Sequence, residues 1–167
     1  PNHGEAARRA AVRARKAGMR VYLLDFVGDD EPIDESSVWQ SSTDWVGYRG
    51  NTQRNVQWVT DWVDRYRCLA ILSDGPNGFV AGSPSLPPRH YPPYPCPLLM
   101  DSTGAGDVFR AGMLFGLAQG WDLADCFRFA SAAGCLNCRG LGATSAVPDR
   151  SEIEHFVKAH NNIGSHY

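Results

Sequence analysis

The chain has 167 residues, of which 43% are hydrophobic, 11% aromatic and 20% charged, enough to bury one good core and too apolar for a disordered tail. Sixteen basic against eighteen acidic residues give a formal net charge of -2, which removes the electrostatic case for a general nucleic-acid or membrane-surface binder. No apolar run approaches the roughly 20 residues that cross a bilayer, and the start of the chain carries no apolar signal-peptide core. A soluble, cytoplasmic metabolite-handling domain is the expectation, and the initial proline, with no methionine, suggests a processed or excised product.

Small residues recur over residues 5–17 at Ala6, Ala7, Ala10, Ala11, Ala14 and Ala17, which predicts an amphipathic helix with a narrow packing face, closed by Gly18. Residues 20–26 form a nearly continuous apolar run, the pattern of a parallel strand covered on both faces. Residues 34–42 read as a short helix and 44–48 as a second strand. A longer helix over 52–66 carries Val56, Val59, Trp62 and Val63 on one face. Residues 68–73 are a third buried strand, and 74–78 form a tight turn into 79–81.

Between 83 and 97 seven prolines forbid a helix and most ladder pairing, leaving an ordered loop or an edge crossing. Residues 98–100 lead out of it. Helices are expected over 105–119, 123–138 and 151–160, the last with Ser151 as N-cap and Glu154 completing a capping box. This alternation of helix and strand means one open parallel α/β sheet flanked by helices, with all of 1–167 forming a single lobe.

The five cysteines are odd in number and irregular in spacing, which argues against a disulfide framework and for a reducing compartment. Cys135 and Cys138 form a Cys-x-x-Cys pair, read as packing residues of a helix, since a zinc site needs two more ligands.

The most informative stretch is Asp101-Ser102-Thr103-Gly104-Ala105-Gly106-Asp107-Val108-Phe109, between a strand-like run and a helix. Glycines at 104 and 106 let the backbone turn tightly and aim bare N–H groups at one point, and the following helix adds its positive dipole end. Such a turn is an anion hole. Phosphoryl transfer needs donors around the transferring group and, beside them, a carboxylate to take the proton of the attacking hydroxyl, the part that Asp107 would play. The plainer reading makes Asp107 a first-turn acid that stabilises a helix dipole.

This stretch resembles the C-terminal signature of the ribokinase-like (PfkB) carbohydrate kinases. Further features follow in the family's order: the helix and strand of 6–25, the Ser73-Asp74-Gly75-Pro76-Asn77-Gly78 turn, the Ala-rich Phe129-Ala130-Ser131-Ala132-Ala133, and Gly142-Ala143 ahead of Val147-Pro148. The resemblance covers the whole chain and only the second half of a family member. It implies a Rossmann-like lobe without the N-terminal half and β lid that supply the sugar pocket.

The resemblance makes Asp107 the general base and Gly104, Ala105 and Gly106 the anion hole. It places Ser73, Gly75 and Gly78 along the nucleotide and Ser131 on its adenine side. Asn51 stands at the first position of an Asn-x-x-Glu motif near magnesium and phosphate, with Arg54 in place of the acid. ATP and Mg2+ are implied, and K+ as an activator held by Asp101 and Thr103 with carbonyls of Asn137, Gly140 and Gly142. Arg110, one turn past the hole, reads either as a phosphate contact or as a surface cation.

The leading expectation is therefore the catalytic half of an ATP-dependent sugar or nucleoside kinase. Two other readings stay open: a non-catalytic module that binds a nucleotide or a partner, and a fragment whose open sheet edge drives homo-oligomerisation.

Overall fold

The computed structural model describes residues 24–25, 38–164 and 166–167. They fall into two compact units, residues up to Gly75 with Phe79–His90, and Pro76–Gly78 with Tyr91–Tyr167. The predicted helix over 5–17 lies outside the described residues, as does all of the predicted strand over 20–26 except Leu24 and Asp25.

The first unit is built on a five-stranded sheet in chain order: β1 (Leu24–Asp25), β2 (Val38–Ser42), β3 (Leu69–Ser73), β4 (Phe79–Ser83) and β5 (Leu86–Tyr91). β1, β2 and β3 run parallel, with Leu24 opposite Val38 and Val38 opposite Leu69. The expected open α/β sheet is thus present, and β4 turns antiparallel to β3, with Ser73 opposite Phe79. β5 follows after Pro84 and Ser85, a connection that only an antiparallel neighbour permits.

One helix, α1 (Thr52–Tyr66), packs on this sheet. Its Val59 and Val63 meet Trp39, Cys68, Ala70, Leu72 and Val80 in a closed apolar cluster, with Trp58, Trp62 and Tyr66 along its side. Trp39, Trp58 and Trp62 lie with ring centroids 4.6 to 5.1 Å apart, within the range where aromatic pairs attract.

Three local expectations are corrected here. The helix predicted over 34–42 is a strand where it is described: Val38, Trp39 and Gln40 are buried in β2. A β-branched and an aromatic residue prefer the pleated surface, and pairing on both sides overrides local helical spacing. The strand predicted over 44–48 is a turn, in which the N–H groups of Trp45 and Val46 both donate to Ser42 O and the Ser42 hydroxyl accepts from Asp44 N. Gly47, at φ +76°, turns the chain there. Residues 86–91 do pair, as the last strand of the sheet; N–H positions alternate along a strand, so one of Pro87 and Pro88 falls on the open side, where no donor is needed.

The second unit holds α2 (Ala105–Ala118), α3 (Leu123–Asn137), α4 (Arg150–Ala159) and the short α5 (Asn161–Gly164). α2 and α3 approach closely because small residues face each other. A Cβ on Gly112 would stand 2.8 Å from Ala130 Cα, and one on Gly134 2.9 Å from Ala105 O. The second contact seats the first turn of α2 against α3. α4 begins two residues before the expected position: Asp149 is the N-cap and Glu152 completes the capping box, in place of Ser151 and Glu154. Both pairs fit the pattern, but Asp149 follows Pro148 and takes the cap first. Among the described residues no helix is long and apolar enough to cross a membrane.

Candidate active site

The second unit gathers most of the predicted catalytic and cation residues. Gly104 is the N-cap of α2 with φ +79°, a left-handed conformation that L side chains adopt at a cost. It also has no room for a side chain, since a Cβ would lie 2.6 Å from Ala143 O. The chain therefore reverses at Gly104 and starts α2 with Asp107 in its first turn. The Asp107 carboxylate is 79% exposed and meets the Arg110 guanidinium at 3.2 Å. Arg110 is thus a partner of Asp107.

Of the three residues assigned to the anion hole, Ala105 spends its N–H on Ser102 O at 3.1 Å. Gly106 has open space where its side chain would be. The amides of Gly106 and Asp107 belong to the first turn, whose N–H groups have no acceptor within the helix. A helix start of this kind attracts anions.

Asp101 ties the turn together. One of its carboxylate oxygens accepts from Thr103 N (2.9 Å) and from the Thr103 hydroxyl (2.7 Å), and the other accepts from Gly142 N (2.8 Å). The Thr103 hydroxyl, then the Thr103 and Gly142 amides, hold the Asp101 carboxyl below the usual aspartate range. Asn137, fully buried at the end of α3, donates to Thr103 O at 3.2 Å. Among the described residues no hydrogen-bond partner meets Asn137 Oδ1. Asp101, Thr103, Asn137 and Gly142 thus form one hydrogen-bonded cluster.

That donor set is all oxygen, with one carboxylate and a buried, unsatisfied amide oxygen, which fits a hard cation held partly by neutral ligands. Gly140 joins the cluster only through its backbone, its N–H donating to Asn137 O at 3.5 Å, and Ser145 and Ala146 fill the space where a side chain would be. Among the described residues no group of three or more His, Cys, Asp or Glu is arranged to hold a metal ion.

The first unit holds Asn51, Ser73 and Gly75. Asn51 caps α1, its side-chain oxygen accepting from Arg54 N at 3.1 Å. Arg54, at the position where the family pattern has an acid, lies 3.8 Å over the Tyr48 ring, so no carboxylate is offered there to Mg2+. Ser73 ends β3, its hydroxyl donating to Ser41 O, and Gly75 follows at φ +53° in open space.

In the sequence Asp74 reads only as one residue of a tight turn. It is buried and accepts from the Thr43 hydroxyl at 2.7 Å and Gly50 N at 2.9 Å. It therefore fixes the loop ahead of Asn51 against the end of β3. An acid directly after a buried strand was the available signal.

Two predicted residues fall elsewhere in the second unit. Gly78, at φ +88°, packs tightly on the backbone of Tyr91 to Pro93. The Tyr167 hydroxyl donates to Pro92 O at 2.7 Å and shares a 2.8 Å hydrogen bond with the hydroxyl of Ser131, on α3. Burial pushes the Tyr167 hydroxyl well above the usual tyrosine range, against the lowering effect of the Ser131 bond.

The family profile described as pfkB family carbohydrate kinase matches residues 43–150. The chain belongs to the pfkB family of carbohydrate kinases. An uncharacterized sugar kinase of Dictyostelium discoideum is 33% identical over 158 residues, covering 83% of this chain and 44% of that protein. The ribokinase of Bacillus subtilis (strain 168) is 33% identical over 101 residues, 59% of this chain and 33% of that one. Among solved structures, Arabidopsis thaliana ribokinase complexed with ribose and ATP superposes with a TM-score of 0.73 at 23% identity, covering 89% of this chain and 50% of that chain. The pfkB fold is thereby established, and the chain spans half or less of the length of these relatives.

Proposed function

We propose that this pfkB chain forms the nucleotide-binding and catalytic part of an ATP-dependent phosphotransferase acting on a hydroxyl group of a sugar or nucleoside. One observation carries the reading: an exposed carboxylate, Asp107, stands on the first turn of α2 directly after the left-handed Gly104, beside amides that the helix leaves free. The solved relative that holds ribose and ATP supports the two substrates.

ATP supplies the phosphoryl group, with Mg2+ neutralising the charge of its phosphates. Asp107 accepts the proton of the substrate hydroxyl as that oxygen bonds to phosphorus and the bond to the leaving nucleotide breaks. The amides of Gly106 and Asp107 and the dipole of α2 hold the negative charge in place. Arg110 adds a positive charge beside Asp107. Ser73, Gly75 and Gly78 line the nucleotide, with Asn51 near its phosphates and Ser131 on the adenine side. Asp101, Thr103, Asn137 and Gly142, with the Gly140 carbonyl, hold a potassium ion that steadies the turn. The roles assigned here leave the binding of the acceptor to other residues.

The test uses the whole protein. Asp107→Asn keeps the shape and removes the base, so ADP release with the accepted sugar or nucleoside drops by about 10²- to 10⁴-fold. Activity within tenfold of wild type would show that Asp107 is not the base.

A second reading, a binding-only relative, is favoured by Arg54, which stacks on Tyr48 at the place of the expected acid. ADP release by the 167-residue chain itself, across a panel of sugars and nucleosides, would remove that reading.

A further inference from the structure

The Cys-x-x-Cys pair at the end of α3 has a third thiol against it. Cys135 and Cys138 are buried, and Cys96, exposed and 39 residues before Cys135, rests on them. Cys96 Sγ lies 3.7 Å from Cys135 O as a hydrogen-bond donor, which sets the exposed thiol against the end of α3 that carries Cys135 and Cys138. Cys138 Sγ is itself turned back onto Gly134 O at 3.4 Å. A thiol placed on the backbone of Cys135 is close to both side chains of the pair, and a disulfide needs its sulfurs brought to roughly 2.05 Å. Cys135 stands in the last turn of α3 and Cys138 is its C-cap, so a bond between these two is the competing product that the test separates.

We propose that Cys96 is an oxidation site and closes a disulfide onto the α3 pair, Cys135 or Cys138, when the chain meets a hydroperoxide. The electrons balance in two steps. The Cys96 sulfur attacks the peroxide, giving Cys96 sulfenic acid and releasing one equivalent of alcohol or water. The thiol of Cys135 or Cys138 then attacks that sulfur, forming the S–S bond and releasing water. Exposure decides the order, because only Cys96 is open to an oxidant arriving from solvent. The buried pair lies beside Cys96 when the sulfenic acid forms, and this proximity offsets the burial that pushes both thiols above the usual cysteine range.

The position gives the bond a consequence. Cys138 O accepts from Met100 N at 2.8 Å and from Asp101 N at 3.3 Å, and Asp101 is the residue that holds the turn before α2. A bond from Cys96 to the α3 pair would tether the segment leading into Asp101 to the same helix end. The site therefore senses oxidation through its own support. None of this depends on the kinase reading.

The 167-residue chain, reduced and then exposed to about one equivalent of hydrogen peroxide, is alkylated and digested with trypsin without reductant. The expected product joins peptide 90–110, which holds Cys96, to peptide 129–139, which holds Cys135 and Cys138, and reductant dissolves it. Amide exchange at Met100 and Asp101 slows in the linked form. Cys96→Ala, a change at an exposed position, yields no joined peptide and leaves Cys135 and Cys138 alkylated. A link confined to peptide 129–139, a cross-link between two copies of peptide 90–110, or Cys96 recovered only as sulfinic acid would each overturn the proposal. Unchanged exchange in the linked chain would refute its coupling to Asp101.

Discussion

Gly104 and Gly106 look alike in the sequence and have opposite surroundings, so alanine at each gives opposite results. At Gly104 a methyl group meets two independent penalties. The left-handed backbone at φ +79° costs an L residue about 1–2 kcal/mol. The new Cβ would also stand 2.6, 2.8 and 2.9 Å from Ala143 O, Cα and Cβ, and two of these are backbone atoms that cannot swing aside. Overpacking of that kind adds about 1–3 kcal/mol. Gly104→Ala therefore destabilises the chain by about 2–5 kcal/mol. At Gly106 the helix backbone is ordinary and the space is open, so Gly106→Ala gains up to about 1 kcal/mol from helix propensity. Urea denaturation of the 167-residue chain reads both, as midpoint shifts of opposite sign at an unchanged slope. If the open space above Gly106 receives the phosphoryl group, Gly106→Ala in the whole protein loses phosphoryl transfer while gaining stability. A Gly104→Ala chain as stable as wild type would refute the packing argument. A Gly106→Ala protein with full transfer would refute the placement of the anion.

Two further outcomes follow from the acids that brace the loops. Because Asp101 is held below the usual aspartate range in the folded chain, its contribution is full above the ordinary value near pH 4 and is lost as pH falls through the lowered one. Asp101→Asn should lower the denaturation midpoint at neutral pH and flatten its fall on the acid side, and an unchanged acid limb would deny Asp101 that role. Asp74 is buried with donors from Thr43 and Gly50, so Asp74→Ala strands both and costs about 2–4 kcal/mol in urea denaturation, and a loss under about 1 kcal/mol would mean that the loop before α1 is held by something else.

What could be read from the chain alone was whatever depended on local pattern. α1 repeats its apolar face over four turns, and its bounds are the expected 52–66. β3 is a short apolar run with turn residues behind it, and α2 starts at the expected Gly104–Ala105 step. β2 was lost because Val38 to Ser42 is five residues long and ends in two serines, and it becomes a strand only through neighbours on both sides. Asp44 to Tyr48 holds Trp45, Val46 and Tyr48, residue types that strands favour, yet Ser42 and Gly47 bend it into a turn. At the site, the Gly-x-Gly-Asp segment is contiguous and was legible. The bond from Gly142 to Asp101 spans 41 residues, and no spacing rule announces it.

That bond also explains why the Gly-rich stretch near residue 142 belongs to the site at all. Asp101 has two carboxylate oxygens and uses both, one inside its own turn on Thr103 and one across on Gly142. Asn137 reaches the same turn from a third direction, through Thr103 O. The left-handed residue that starts α2 is therefore fixed by α3 and the segment after it as much as by its own neighbours, since Ala143 fills the space behind Gly104. The Asp107 carboxylate, proposed above as the base, can itself remain solvent-exposed, because its position is fixed by the backbone beneath it. Asn137 Oδ1, buried and unpartnered among the described residues, is the one element of this bracing left unsatisfied. An orphaned acceptor in that place costs about 1–3 kcal/mol unless a cation or a water meets it, which gives the cation proposed for this cluster a reason to bind that is independent of any step in the reaction.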